Sequence, residues 1–192
     1  EAITEARQEG PFTDLFDFCA RVDLKRVNKR TLDGLIRSGA LDRLGPYFES
    51  EPKAYQANID RNRAVLLAAL AEAIQAAEQT ARSHDSGHAD LFGGLFVEED
   101  TDVYANHRKT KEGTLKDRLR GEKETLGLYL TGHPIDEYEG EIRRFARQRI
   151  IDLKPARDTQ TVAGLIIALR VMKNKKGDKM GFITLDDRSA RI

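Results

Sequence analysis

Tryptophan is absent from the 192 residues, cysteine occurs once, methionine twice, and aromatics make up only 7%. The lone Cys19 excludes an internal disulfide and fits a reducing cytoplasm. No apolar run reaches transmembrane length and no signal-peptide pattern opens the chain, so no membrane partner is expected. Net charge is also missing: 32 bases stand against 32 acids. The overall charge therefore does not point to nucleic acid. Glu1 in place of a starting methionine, and a strand pattern that stops at Ile192, lead to the expectation of a piece of a longer protein.

Charged residues reach 33% and hydrophobic residues 40%, a balance that suits helices with broad solvated faces around a modest core. The charges are clustered. Arg21 to Arg37 holds six bases and two acids, and Arg170 to Lys179 five bases and one acid. Asp85 to Asp102 holds six carboxylates and neither Lys nor Arg. Local basic patches can hold a polyanion while the total stays neutral.

The acidic stretch contains Ser86-Gly87-His88-Ala89-Asp90-Leu91-Phe92-Gly93-Gly94-Leu95-Phe96. Two bulky apolar pairs sit in sequence too polar to build a core of its own. Such a segment either docks into a pocket on another protein or is pinned to its own domain by Phe92 or Phe96. The spacing leaves both readings open.

Along the chain, Ala2 to Gln8 reads as a helix stopped by Gly10-Pro11. Thr13 is the expected cap of a short helix to Ala20. Asn28 caps the next, with Leu32, Leu35 and Ile36 as its apolar stripe and Gly39 as its end. Lys25, Arg26, Lys29 and Arg30 surround the turn between them. This is the outline of a helix-hairpin-helix, whose second helix would present backbone N–H groups, with the Lys and Arg, to a phosphate. The usual hairpin glycine is missing, and a solvated charged face on an ordinary helix pair is the competing reading. Pro52 breaks the polar stretch from Tyr47 to Ile59. Asp60 is expected to cap a helix to Ser83, with Val65, Leu66, Leu70, Ile74 and Ala77 at helical spacing. Thr114 opens a block ending at Gly132, with Leu115, Leu119, Leu126 and Leu130 on one face. His133-Pro134 starts another helix, with Ile135, Tyr138, Ile142 and Phe145 inward. At Thr161 the period changes from 3.6 to 2. Thr161 to Val171 reads as a strand, Asn174 to Asp178 as a hairpin turn, and Met180 to Leu185 as the return strand. Asp186 to Ser189 forms a second turn, and Ala190-Arg191-Ile192 starts a third strand. A lone hairpin is unstable in water, so a larger β domain is expected.

No catalytic grouping is present. Adjacent Asp186 and Asp187 suit a turn, and Cys19 among Phe16, Phe18 and Ala20 suits a buried inert thiol. His84 and His88 have metal-ligand spacing but no third ligand nearby, so no metal site is expected. Gly93-Gly94 lacks the Lys and Ser/Thr of a phosphate loop.

Three stretches together carry a resemblance. They are Leu15-Phe16-Asp17-Phe18-Cys19 through Ser38-Gly39-Ala40-Leu41-Asp42-Arg43-Leu44-Gly45; Glu124-Thr125-Leu126-Gly127-Leu128-Tyr129-Leu130-Thr131-Gly132-His133-Pro134; and Thr184-Leu185-Asp186-Asp187-Arg188-Ser189. They resemble the C-family replicative DNA polymerases of bacteria, the family of DNA polymerase III α subunits, in the region after the catalytic core. The resemblance covers nearly the whole chain and includes the error-prone paralogue.

It implies a mainly α chain followed by the first strands of a β-barrel OB fold. Residues 1–45 would be the end of the fingers and a helix-hairpin-helix, and 46–85 a helical connection. Residues 86–110 would be a flexible clamp-binding linker, 111–158 a helical segment, and 159–192 the truncated OB fold. Lys25, Arg26, Asn28, Lys29 and Arg30 would hold duplex DNA. His88, Asp90, Leu91 and Phe92 would bind the β sliding clamp, with His88 where the family usually has Gln. Lys173, Lys175, Lys176, Lys179 and Phe182 would meet single-stranded DNA. The family's catalytic aspartates match nothing here, so no catalytic residue and no cofactor is expected in this chain. The Mg2+ of the parent polymerase would lie outside it. Expected partners are the clamp, DNA and other polymerase III holoenzyme subunits, in the cytoplasm. The alternative is a protein-interaction scaffold that never touches DNA.

Overall fold

A computed structural model of the chain describes residues 1–85, 102–146 and 148–192. It divides into two compact units, residues 1–128 and 129–192. Among the described residues no helix is long and apolar enough to cross a membrane.

Unit 1 is helical. Helix α1 spans Ala2–Arg7, α2 Leu15–Arg21, α3 Lys29–Arg37, α4 Pro52–Asp85 and α5 Leu115–Leu126. The cap of α2 is Asp14 and not Thr13: its carboxylate accepts from the N–H groups of Phe16 and Asp17 at 2.8 and 2.9 Å. A carboxylate is also the better partner for the positive end of a helix. Asn28 caps α3 as expected, accepting from the Thr31 N–H at 3.0 Å.

Helix α4 begins at Pro52, eight residues before the expected Asp60. Proline is tolerated in the first turn, where its missing N–H has no intrahelical role. Glu51 accepts the Ala54 N–H at 2.8 Å and closes that end. Leu15, Phe18, Leu32, Ile36, Val65 and Leu66, drawn from α2, α3 and α4, are all essentially inaccessible and form the core. Each such side chain contributes about 1.5–3 kcal/mol on burial. Ile74 and Ala77 pack at its edge. Cys19 lies in the core, and burial pushes its thiol up to about 11.

Helix α5 has Thr114 and Asp117 as a reciprocal capping box, and it ends at Gly127, in a left-handed conformation with φ 77°. That is five residues before the expected Gly132. Of the expected apolar face only Leu119 is buried; Leu115, Leu126 and Leu130 are exposed.

Unit 2 opens with a 3-10 turn over Pro134–Tyr138, followed by α6 (Glu139–Phe145). His133 caps the turn: its Nδ1 accepts from the Ile135 N–H at 3.2 Å, while Asp136 accepts from the His133 N–H at 2.9 Å. Ile135 is buried, but Tyr138 and Phe145 are exposed, correcting the inward face read from the spacing. The period is not the cause: α6 buries none of its side chains, so the face has no surface to pack against.

Strands β1 (Leu165–Lys173) and β2 (Lys179–Asp186) form an antiparallel pair. The strand begins four residues later than Thr161, where Gly164 lies against the Asp186 backbone, 3.1 Å from a notional Cβ. A bulge falls between Ile166 and Ala168. The Asn174–Asp178 turn is closed by an N–H to carbonyl bond of 2.9 Å, with Gly177 at φ 90°. The third strand is only hinted at, by one bridge between Asp186 and Arg191. Ile166, Leu169, Val171, Phe182 and Ile183 are all more than half exposed or at that limit. The antiparallel pair is consistent with the start of an OB fold, and apolar side chains on both of its faces are exposed.

The Asp186–Arg188 turn holds unit 2 together. Asp187 accepts from the N–H groups of Ile150, Ser189 and Ala190 and from the Ser189 hydroxyl, at 2.6–3.1 Å. Asp186 accepts from Arg188 N–H and from Arg191, and His133 Nε2 lies 3.5 Å from it. Burial alone would raise both carboxyls, but these donors hold both below the usual carboxylate range. A lowered carboxyl favours the folded state above its unfolded value, and the benefit disappears as pH falls through the folded value. Unit 2 should therefore lose stability on acidification below about pH 4. Amide exchange at Ile150 and Ala190 is the probe. Protection at pH 3 equal to that at pH 6 would contradict this reading.

Candidate nucleic-acid interface

The hairpin between α2 and α3 closes without glycine. The Asp23 carbonyl accepts from the N–H groups of Arg26 and Val27 at 3.1 and 2.9 Å, and its carboxylate accepts from the Lys25 N–H at 2.9 Å. Val22 and Val27, both buried, pin the two ends of the turn. Aspartate thus supplies with its side chain the turn that glycine supplies by conformational freedom.

Lys25, Arg26, Asn28, Lys29 and Arg30 are all exposed. They differ in what they already hold. Arg26 is paired with Glu1 at 2.9 Å and Glu5 at 3.2 Å. Lys25, Lys29 and Arg30 have no carboxylate partner among the described residues. Lys29 and Arg30 are the first residues of α3, which has no acid in its first turn. Cations there oppose the helix dipole, and the first N–H groups of a helix lack internal acceptors. An anion at this end would answer both. Arg21, from the same basic run, serves a different purpose. It donates to the carbonyls of Ala6 and Gly10 at 2.7 and 2.8 Å and covers the Phe12 ring, bracing the α1–α2 turn.

At the β hairpin, the register places Lys173 directly opposite Lys179. Like charges directly opposite destabilise a strand pair unless something anionic lies between them. Lys175 and Lys176 occupy the exposed turn. Phe182 lies opposite Arg170, on the other face from Lys173 and Lys179 by strand alternation. The structure therefore separates the aromatic from those lysines and gives it Arg170 as a neighbour, a partner the sequence reading missed. His88, Asp90, Leu91 and Phe92 lie outside the described residues. Of the expected 86–110 linker, the returning part is fastened to unit 1. The Tyr104 hydroxyl accepts from the Leu15 N–H at 2.8 Å and donates to the Leu44 carbonyl. Burial pushes its phenol well above the ordinary value.

A helix-hairpin-helix motif model matches residues 1–47, which span α1 to α3. The whole chain is 89% identical to a DNA polymerase III subunit alpha from Pseudomonas fluorescens and 80% identical to that of Pseudomonas aeruginosa. It is 44% identical to that of Escherichia coli K12. In each case the match covers all of this chain and 16% of the relative. The chain is a segment of the DNA polymerase III subunit alpha family. The helix-hairpin-helix outlined by Asn28 and its basic neighbours is present, and the chain spans about one sixth of the length of these relatives.

In this segment a buried ionic network fixes the end of the motif, and the sequence reading missed it. Arg63 on α4 binds Asp42 through Nε and Nη2 at 2.9–3.1 Å. It also reaches Glu122 of α5 and the Arg37 carbonyl, both at 3.1 Å. Burial alone would lower the Arg63 value, but these acceptors raise it. The Tyr55 hydroxyl donates to Asp42 at 2.6 Å; burial, then that carboxylate, push the phenol up to about 12. Asn62 donates to the Asp42 carbonyl at 2.7 Å and accepts from the Tyr47 N–H at 2.9 Å. Gly39, at φ 85°, and Gly45 are required here, because a Cβ would come within 2.2 Å of Arg63 and of Asn62 respectively. The one sequence signal is an acid, Asp42, set between Leu41 and Leu44, both buried.

Proposed function

We propose that residues 1–47 hold duplex DNA without reading its sequence. Phosphates would meet Lys25, Lys29, Arg30 and the free N–H groups at the start of α3. The observation that carries this is the exposed, unpartnered cationic start of α3, set in a helix-hairpin-helix, generally a DNA-binding motif. Around it, His88 to Phe92 would tether the chain to the β sliding clamp. The β hairpin, as the start of an OB domain, would receive single-stranded template at Lys173, Lys175, Lys176 and Lys179, with Phe182 beside Arg170. Nucleotidyl transfer by the whole cytoplasmic polymerase, with its Mg2+ and its other holoenzyme subunits, would be carried outside this chain.

Two duplexes of unrelated sequence test the duplex reading. Lys29→Ala should weaken binding to both equally, and lower the slope of log K against log salt by about 0.9. Arg26→Ala should do less, because Glu1 and Glu5 already neutralise it. Weakening confined to one sequence, or none in a variant lacking all four cations, would favour a scaffold with no DNA contact.

A further inference from the structure

The connection between α3 and α4 carries arginines laid on aromatic rings. The Arg61 guanidinium lies 4.2 Å from the Tyr47 ring centre, and that of Arg108 lies 5.3 Å from the same ring. Arg43 lies 5.6 Å from the Phe48 ring, which in turn meets Tyr55 edge-on at 5.7 Å. Nearby acids are already engaged. Glu49 accepts from Asn58, Glu51 from the start of α4, and Asp102 from Arg108. Arg43 and Arg61 are exposed and have no carboxylate partner among the described residues.

Their backbones are held firmly. Arg43 follows Asp42, which Arg63 and Tyr55 bind, and Arg61 precedes the buried pair Asn62 and Arg63 on α4. A guanidinium stacked on a ring keeps its edge N–H groups free and loses little freedom on meeting an oxyanion. Two guanidiniums on Tyr47 also occupy the ring surface that a base would need, which favours phosphate contact over base stacking.

We propose that Arg43 and Arg61, held on Phe48 and Tyr47, form a second contact for the phosphodiester backbone of duplex DNA. This rests on the duplex-holding reading of residues 1–47 and extends its footprint. Helix α3, about 14 Å long for nine residues, lies between the first contact and Arg43 along the chain.

The test uses the whole 192-residue chain, a 20-base-pair duplex and a 20-nucleotide single strand, titrated across salt. Arg43→Gln with Arg61→Gln should weaken duplex binding roughly tenfold or more at 0.1 M salt and lower the slope by about 1.8. Arg43→Lys with Arg61→Lys should retain the slope. Tyr47→Leu should retain the slope and weaken binding severalfold, because Arg61 loses its support. Both arginines are exposed, and unchanged thermal unfolding of the Gln variant confirms that the fold is not the cause. Suppose that variant binds duplex like the parent, while loss of Lys25, Lys29 and Arg30 abolishes binding. Then the second contact is overturned and the first reading stands. No duplex binding by the parent overturns both. A loss confined to the single strand overturns the duplex assignment.

Discussion

Arg63→Met should lower the stability of residues 1–128 by about 3–5 kcal/mol. The guanidinium binds two carboxylates, Asp42 at 3% exposure and Glu122 at 0%. Removing it leaves Asp42 buried without its cation, and takes one donor from Glu122 and one from the Arg37 carbonyl. Burying an unpaired charge costs far more than the pair contributes when intact. Methionine fills much of the volume, so the loss reports charge and not a cavity. Glu122→Gln should cost less, since an amide oxygen can still accept from Arg63. Urea unfolding separates the two: the midpoint should drop strongly for Arg63→Met with the slope unchanged. A loss under about 1 kcal/mol would show that water reaches the network and that α4 and α5 hold the motif by apolar packing alone.

Leu91→Ala with Phe92→Ala should abolish binding to a sliding clamp. Each side chain offers roughly 1.5–3 kcal/mol on full burial. Ordering a glycine-flanked segment takes part of that back, so micromolar affinity is the expectation for the isolated peptide. Losing both anchors removes roughly 3–6 kcal/mol and moves such an affinity to about 0.1 mM or weaker. His88→Gln should tighten binding, because an imidazole presents its donor and acceptor only at fixed ring positions. Calorimetric titration of the clamp decides both points. Parent-like binding by the double alanine variant refutes the tether. Weaker binding by His88→Gln alone keeps the anchor and refutes the account of the histidine.

Local chemistry made much of this fold legible. The Asn28 cap, the Val65–Leu66–Leu70 stripe, the Thr114 start and the Asn174–Asp178 turn each depend on residues within a few positions of one another. The cationic start of α3 was readable for the same reason. What was hidden depends on distance along the chain. Arg63 meets partners 21 and 59 residues away, and no periodicity signals that. Pro52 reads as a breaker until its place in the first turn is known. Tyr138 and Phe145 fit a 3.6-residue face, but α6 buries none of its side chains, and periodicity does not say whether a face finds a packing partner. Phe182, Lys173 and Lys179 are close in sequence, but strand alternation sets the aromatic on the opposite face from these two lysines. The resemblance to polymerase α subunits reached what spacing did not, because it rests on particular strings such as Gly127-Leu128-Tyr129-Leu130-Thr131-Gly132-His133-Pro134.

The start of α3 is proposed to hold duplex phosphates. The most direct test of this is the salt dependence of duplex binding by the parent and by a Lys25→Ala, Lys29→Ala, Arg30→Ala variant. Losing three phosphate contacts should flatten the slope of log K against log salt by about 2.7. A variant with the parent's slope and affinity would contradict the claim.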